Sequence, residues 1–201
     1  MVSRKKSSAN KFIQLRIDLN DAPLPIWRRL LVNGEITLDQ LHEILQLTMG
    51  WSGYHIHQFH FGNTIYGDLT DAESKKIKDQ SKVKLADLLT QDGDEFIYEY
   101  DLSDSWKHTA RVERIVEIEN GPQTARCIMG KRACPPEDVG GTEGYRRFIE
   151  IVEDPENEEI EERLSWVGCE FDANSFDARL VNLQLTLMEA NLGGMLQALA
   201  R

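Results

Sequence analysis

The apolar periodicity of this chain changes near Gly130, and that change constrains its fold more than any other feature. Before Gly130, apolar and polar residues largely alternate in segments such as 12–19 and 95–100, a pattern typical of strands with one buried face. After Gly130, apolar residues recur at three- and four-residue steps, which indicates amphipathic helices. Strands in the first two thirds followed by helices in the last third predict an α+β protein.

One amphipathic helix is expected early, among the strands. Thr37 and Gln40 form a capping-box pattern, apolar residues follow at helical spacing over positions 38–49, and Gly50 is a typical helix end. His42 lies beside this apolar stripe and is expected to pack against the core. We therefore predict a largely antiparallel sheet with this helix, and late helices packed on the sheet. The expected strands are 12–19, 26–32, 55–61, 64–66, 95–100, 106–119 and 124–129, the late helices are 142–152, 156–166 and 176–192, residues 68–82 form mostly loop, and residues 83–89 form one or two helical turns.

The length of the chain indicates one domain. A chain of 201 residues buries roughly seventy per cent of its unfolded surface, so its fold needs neither a metal nor a disulfide. Residues 1–11 are polar and basic and are expected to form a disordered tail. Residues 12–192 are expected to form the single domain, and residues 193–201, which begin with two glycines, a weak C-terminal tail.

The net charge of the chain favours some classes of partner over others. A net charge of −11 repels phosphate backbones, so nucleic-acid binding is disfavoured, while a protein partner is compatible with the acidic surface. The basic residues that stand out as phosphate contacts are Lys5, Lys6, Arg28 and Arg29.

The sequence also indicates a compartment. Residues 1–10 contain no apolar stretch after their charges, and no run reaches the ~18 apolar residues of a membrane span. Cys127, Cys134 and Cys169 are an odd number at irregular spacing, which is not a disulfide framework and fits a reducing environment. We expect a cytoplasmic protein with no membrane partner.

The first polar motif covers residues 49–57 and ends in His55-Ile56-His57. Residues two apart on a strand point to the same side, so His55 and His57 would present both imidazoles to one metal ion. The alternative is a pair of structural histidines that are hydrogen-bonded within the fold.

The second polar motif covers residues 98–108. Trp106 and His108 would share one strand face, with two aspartates in the turn before them. A carboxylate beside an imidazole orients it and raises its basicity, which serves general-base catalysis or metal binding. Aspartates in a turn also accept hydrogen bonds from nearby backbone amides, so at least one of them is expected to cap the turn. The candidate pocket residues of this motif are Tyr100, Asp101, Asp104, Trp106 and His108.

The third polar motif is the loop 134–141, in which two prolines and two glycines exclude a regular element. Glu137 and Asp138 supply adjacent carboxylates. Cys127 and Cys134 are soft ligands seven positions apart, which is not a standard metal-binding spacing. The ligands considered for a divalent metal such as zinc are His55, His57, His108 and Cys134.

Taken together, these stretches resemble the plasmid pRiA4b ORF-3-like family over about residues 12–185, nearly the whole chain. As a set, the shared motifs are highly specific. The residues that carry the resemblance are 25–29, Leu41, His42, 49–51, 55–57, Phe59, 98–108, 134–141, Gly144, Tyr145, Asp154, Pro155, Trp166, Phe171 and Asp172.

The resemblance implies an accessory or sensing domain. Some members of the family carry a TnpR, resolvase-like label, and some are fused to DNA-binding modules, which implies a link to mobile-element or other DNA-related processes. Two departures affect the site. Leu102-Ser103 replaces the family's usual Phe-Gly, and Asn157 and Ile160 stand where the family can have histidine, so a metal site that used those histidines is lost here.

Three hypotheses about function follow. The first, which we favour, is a non-enzymatic interaction or sensing domain, because the chain has no glycine-rich nucleotide loop, no Gly-x-Ser-x-Gly elbow and no His-Glu-x-x-His helix. The second is that all the polar motifs are structural. The third is a metal-dependent hydrolase that uses His55, His57, Asp104 and His108, with Glu137 as a base.

Overall fold

The fold combines one large sheet with helices, as predicted for an α+β protein. A computed structural model describes residues 10–68, 76–168 and 170–199. The strands in these ranges are β1 (Asn10–Leu19), β2 (Trp27–Asn33), β3 (His57–Phe61), β4 (Thr64–Gly67), β5 (Ile77–Asp79), β6 (Glu95–Tyr100), β7 (Trp106–Ile118) and β8 (Ala125–Lys131). The helices in these ranges are α1 (Leu38–Met49), α2 (Leu85–Leu88), α3 (Gly141–Glu153), α4 (Ile160–Val167) and α5 (Ala178–Leu199).

The strands form one sheet in the order β5-β4-β3-β6-β7-β1-β2-β8. Neighbouring strands are antiparallel except β4 and β5, which are parallel. The largely antiparallel sheet is therefore confirmed. Strands β6 and β7 lie near its centre, and the short turn between them places residues 101–105 at one end of the sheet.

The core is built mainly from apolar side chains of the strands and of α1, with further ones from α2, α3 and α5. Ile13 and Leu15 of β1 and Leu41 and Leu45 of α1 belong to one continuous buried cluster. Each such side chain contributes about 1.5–3 kcal/mol when it is fully buried. Helix α5 contacts both β8 and α1, so a late helix packs on the sheet as expected.

Helix α1 begins and ends where the sequence predicts. The capping box is present, with the backbone N–H of Thr37 donating to Gln40 Oε1 at 3.1 Å. Gly50 ends the helix with φ of +98°, a left-handed conformation that glycine adopts without strain. His42 is buried on this helix, as predicted.

Three elements differ from the prediction. The strand expected from His55 begins two residues later, at His57, and the expected loop 68–82 contains the short strand β5. Helix α4 begins at Ile160 rather than near 156. The side chains of Asp154 and Asn157 accept hydrogen bonds from backbone N–H groups two residues ahead, and these local turns compete with the helix.

The predicted tails are described only in part. Residues 1–9, which include Lys5 and Lys6, lie outside the described residues, and Lys11 belongs to β1. At the other end, α5 continues past the paired glycines to Leu199, because glycine inside a helix costs only about 1 kcal/mol. None of the described helices has the length and apolar character needed to cross a membrane.

Candidate functional site

The turn between β6 and β7 holds a buried carboxylate in a fixed orientation. Asp101 adopts the left-handed conformation, with φ of +53°. Its Oδ1 accepts hydrogen bonds from Ser103 N at 3.0 Å, Ser103 Oγ at 2.7 Å and Asp104 N at 3.3 Å. These bonds leave Oδ2 directed at His55, whose Nε2 lies 3.7 Å away.

Two further carboxylates reach His55 from the loop 134–141. His55 Nε2 lies 3.2 Å from Asp138 Oδ1 and 3.9 Å from Glu137 Oε2. We call His55, Asp101, Glu137 and Asp138 the His55 cluster. Its members come from three separate segments of the chain, and all four were candidates from the sequence.

The spacing within the His55 cluster fits a metal ion. Each of His55, Asp101 and Asp138 offers one ligand atom, and these three atoms lie within 4.8 Å of one another. Two ligands of a tetrahedral zinc ion, each at about 2.1 Å, lie roughly 3.4 Å apart. The separations from His55 Nε2, 3.2 Å to Asp138 and 3.7 Å to Asp101, bracket that value.

The environment of Asp101 favours its charged form. Burial acts to raise the pKa of this carboxyl group, but hydrogen bonds from Ser103 and Asp104, together with His55, outweigh burial and lower the pKa below its ordinary value. The carboxylate is therefore charged at neutral pH, as a metal ligand must be.

Glu137 is held by two donors from outside the loop. Its Oε1 accepts hydrogen bonds from Ser52 N at 2.7 Å and from the Tyr100 hydroxyl at 3.1 Å. Burial, followed by the nearby Glu137 charge, raises the pKa of Tyr100 far above its ordinary value, so Tyr100 acts as a donor. The predicted candidate Tyr100 thus supports the cluster through Glu137.

Other contacts fix the loop 134–141 against the sheet. The indole Nε1 of Trp51 donates to Pro135 O at 2.9 Å, and the backbone N–H of Gly140 donates to Asp104 Oδ2 at 3.1 Å. Gly141 has φ of +67°, and a Cβ there would lie 3.0 Å from Asp104 O. Asp104 therefore secures the distant loop, whereas Asp101, which accepts from Ser103 N and Asp104 N, has the turn-capping role expected of one aspartate in the motif.

His57 does not join His55, which corrects the expectation that both imidazoles face one metal. Its ring stacks on His42 with centroids 3.5 Å apart, and its Nε2 lies 2.9 Å from Gln80 Oε1. The two histidines separate because β3 begins only at His57, so the two-residue alternation of a strand does not extend to His55.

His108 and Trp106 are core residues rather than ligands. His108 is fully buried, and its Nδ1 lies 3.3 Å from Tyr98 O. Burial lowers its pKa to about 4, so the imidazole is neutral at pH 7. Trp106 is also buried, and its ring centroid lies 6.1 Å from that of Trp51.

Cys134 is also separate from the His55 cluster. Its Sγ lies 3.3 Å from Met49 Sδ and 3.6 Å from Arg28 Nη2. Burial raises the pKa of the thiol to about 11, so it is not a thiolate at pH 7. The structure therefore does not support Cys134 or His108 as ligands beside His55.

Neither described arginine candidate is free for a phosphate. Arg28 is buried, with its guanidinium donating to the carbonyl oxygens of Trp27, Thr48 and Lys131 at 2.7–3.0 Å. Arg29 is only partly buried but forms a bidentate pair with Glu113 at 2.6 and 2.7 Å. The burial of Arg28 argues against the expectation that it contacts a phosphate, and the pairing of Arg29 with Glu113 gives that expectation no support.

Sequence patterns missed the polar residues around His42. The Tyr98 hydroxyl lies 2.8 Å from both His42 Nδ1 and Gln46 Nε2. The four-residue spacing of His42 and Gln46 on one helix face could have indicated this pair. Gln80, which contacts His57, lies in the segment expected to be loop and carries no sequence signal.

Comparisons with known proteins agree on one family. The family model described as plasmid pRiA4b ORF-3-like protein matches residues 11–180. The uncharacterised protein y4hQ of Sinorhizobium fredii (strain NBRC 101917 / NGR234) is 31% identical over 171 residues, which cover 85% of this chain and 86% of that protein. A crystal structure of MM3350 from Methanosarcina mazei Go1, a protein of unknown function, has a TM-score of 0.77 and 32% identity, and the match covers 87% of this chain and 98% of that one.

Proposed function

This chain belongs to the plasmid pRiA4b ORF-3-like family, and we propose that it is a non-enzymatic sensing domain that binds a divalent transition metal, such as zinc, at the His55 cluster. The observation that carries the proposal is the convergence on His55 Nε2 of three carboxylates, those of Asp101, Glu137 and Asp138, at 3.7, 3.9 and 3.2 Å. An imidazole with carboxylates is a ligand set that zinc accepts.

The position of the cluster supports a sensing role. Asp101 belongs to the sheet end and Asp138 to the loop 134–141, so an ion bound to both would hold the loop against the sheet. The side chain of Asp138 is 69% exposed, whereas that of Asp101 is 4% exposed. Ion binding would therefore order the exposed side chain of Asp138 more than that of Asp101. A protein partner would recognise the resulting change at the surface of the loop 134–141.

A hydrolase has less support. The residues that it would combine lie apart, because His57 stacks on His42, His108 is in the core and Asp104 binds Gly140. Glu137, the expected base, already accepts hydrogen bonds from Ser52 and Tyr100. A base must instead take a proton from water or substrate.

A role in mobile-element or other DNA-related processes also has less support, because Arg28 and Arg29 are engaged within the fold. A cytoplasmic location is part of our proposal. It is supported by Cys127 and Cys134, which are buried free thiols and therefore fit a reducing compartment.

The test is metal stoichiometry. Protein stripped with a chelator is titrated with zinc in a calorimeter, and the metal retained after gel filtration is measured by elemental analysis. We expect one zinc per chain in the wild type and a large loss in His55→Ala. The matched control is His60→Ala, because His60 is a half-buried histidine that faces Glu99 at 3.5 Å outside the cluster. Equal zinc binding by the two variants, or no stoichiometric zinc in the wild type, would overturn the proposal.

A further inference from the structure

A cavity of about 430 Å³ lies beside the His55 cluster, between α1, the segment that leads into β3, and β5. This volume is within the usual range of small-ligand sites, about 300–1,000 Å³. Its lining includes the carboxylates of Asp39, Glu43 and Asp68 and, among the described residues, no lysine or arginine. The electrostatic potential inside is therefore negative and favours a cationic ligand.

The floor of the cavity presents a donor of fixed orientation. Gly53 N–H donates to Gln46 Oε1 at 2.9 Å, which directs Gln46 Nε2 at the Tyr98 oxygen, 2.8 Å away. The Tyr98 hydroxyl then donates its own proton to His42 Nδ1 at 2.8 Å. In a neutral His42 this leaves the ring proton on Nε2.

His42 Nε2 has no hydrogen-bond partner among the described residues, and His42 lines the cavity although only 7% of the residue is exposed. His42 Nε2 is not fully enclosed by protein, so it opens onto the cavity, where a bound acceptor can complete its hydrogen bonding. A ligand with a hydroxyl or other acceptor would supply this contact.

The stacked pair His42 and His57 keeps the floor uncharged. The two rings are 3.5 Å apart and 6° from parallel, an arrangement that two imidazolium ions would oppose by repulsion. Burial lowers the pKa of His42 to about 3, which agrees with a neutral ring. The carboxylates at the rim are thus not neutralised by the histidines below them.

We propose that this cavity binds a small hydroxylated organic amine, whose ammonium group faces Asp39 and Glu43 and whose hydroxyl oxygen accepts the His42 Nε2 proton. His55 also lines the cavity, so the cavity adjoins the His55 cluster, but the residues proposed to hold the amine, Asp39, Glu43 and His42, do not belong to that cluster. The domain would therefore bind two ligands, a metal ion at the His55 cluster and an organic amine in the cavity.

The test is calorimetric titration in EDTA with three amines, each paired with a neutral counterpart of similar shape. The pairs are 2-aminoethanol with ethylene glycol, putrescine with 1,4-butanediol, and D-glucosamine with D-glucose. We expect saturable binding of 2-aminoethanol or D-glucosamine, with binding of its neutral counterpart at least about tenfold weaker, and putrescine binding less tightly because it has no hydroxyl. No binding of any amine at millimolar concentration, or equal binding of the neutral counterparts, would overturn the proposal.

Two variants test whether the amine binds in this cavity. Glu43→Gln is expected to weaken binding of the amine about tenfold, because it removes an exposed charge without altering the core. Glu161→Gln on α4 removes a similar exposed charge elsewhere and should leave binding unchanged. Equal effects of the two variants would contradict the assignment. If Glu43→Gln instead abolished zinc binding, the cavity would be a metal site, whereas zinc lost only in His55→Ala leaves the two sites separate.

Discussion

The imidazole Nε2 of His55 lies 3.2 Å from Asp138 Oδ1, and this contact joins the segment before β3 to the loop 134–141. The same nitrogen faces the buried Asp101 on its other side. His55 therefore contacts carboxylates of both the sheet end and the loop, in addition to the direct contact of Asp104 with Gly140, and its substitution is the first test of the site.

Zinc is expected to stabilise the wild-type fold and to have little effect on His55→Ala. A ligand that binds only the folded state stabilises it by about 2.7 kcal/mol at one hundred times its dissociation constant. The measurement is the unfolding temperature with and without zinc. His60→Ala should respond as the wild type does, and a zinc response that survives in His55→Ala would contradict the site.

Replacing Asp104 by alanine is expected to lower the free energy of unfolding by about 1 kcal/mol, because the Gly140 N–H loses its acceptor. Asp104→Asn keeps an acceptor oxygen and should lose less. Zinc affinity should change little in Asp104→Asn, since Asp104 lies outside the His55 cluster. Urea denaturation and zinc titration of both variants check these outcomes, and a loss of zinc equal to that of His55→Ala would make Asp104 a ligand.

The sequence predicts those helices and strands whose start, stop or periodic pattern is carried by their own residues. Helix α1 carries its own start and stop signals, at Thr37 and Gly50, and both are confirmed. Strand β5 has only three residues, and its partner β4 lies on the far side of a segment with no periodic pattern, so no local signal identifies it. The start of α4 was missed because the turns at Asp154 and Asn157 depend on side-chain orientation.

The site could be predicted only as a set of candidates. All four members of the His55 cluster are candidates from the sequence, namely His55, Asp101, Glu137 and Asp138. The sequence does not show that His57 and His108, which are also candidates, lie elsewhere. Whether His57 and His108 join the site depends on where β3 begins and on which face of β7 is buried. Both features are set by pairing between strands that are far apart in the sequence. The sequence predicts Arg28 as a phosphate contact because it does not show the carbonyl groups that surround this side chain in the fold.

Arg28→Lys is expected to destabilise the fold by about 3 kcal/mol, because lysine cannot reproduce the planar set of donors with which the buried Arg28 binds three carbonyl oxygens. Arg29→Lys retains one charge beside Glu113 on a half-exposed surface and should cost less than about 1 kcal/mol. Urea denaturation of the two variants tests this contrast. Equal losses would show that Arg28 is not the more important contact.

The buried His108 should make stability fall as the pH drops. Unfolded His108 binds a proton below its ordinary pKa of 6.5, whereas the folded imidazole does so only near pH 4. The unfolded state therefore binds more protons between these values, so this contribution is complete above pH 6.5 and is lost progressively down to pH 4. From pH 7 to pH 5 the loss is about 2 kcal/mol from this residue.

His108→Asn is the control for this pH dependence, because asparagine can donate to Tyr98 O but does not titrate. The variant is expected to be less stable than the wild type at pH 7, since its smaller side chain leaves a gap beside Trp51. Its stability should nevertheless fall less between pH 7 and pH 5. Urea denaturation at both pH values measures the two slopes. Parallel slopes would mean that His108 does not account for the loss, which would then be assigned to His42 and His57, because burial lowers the pKa of each.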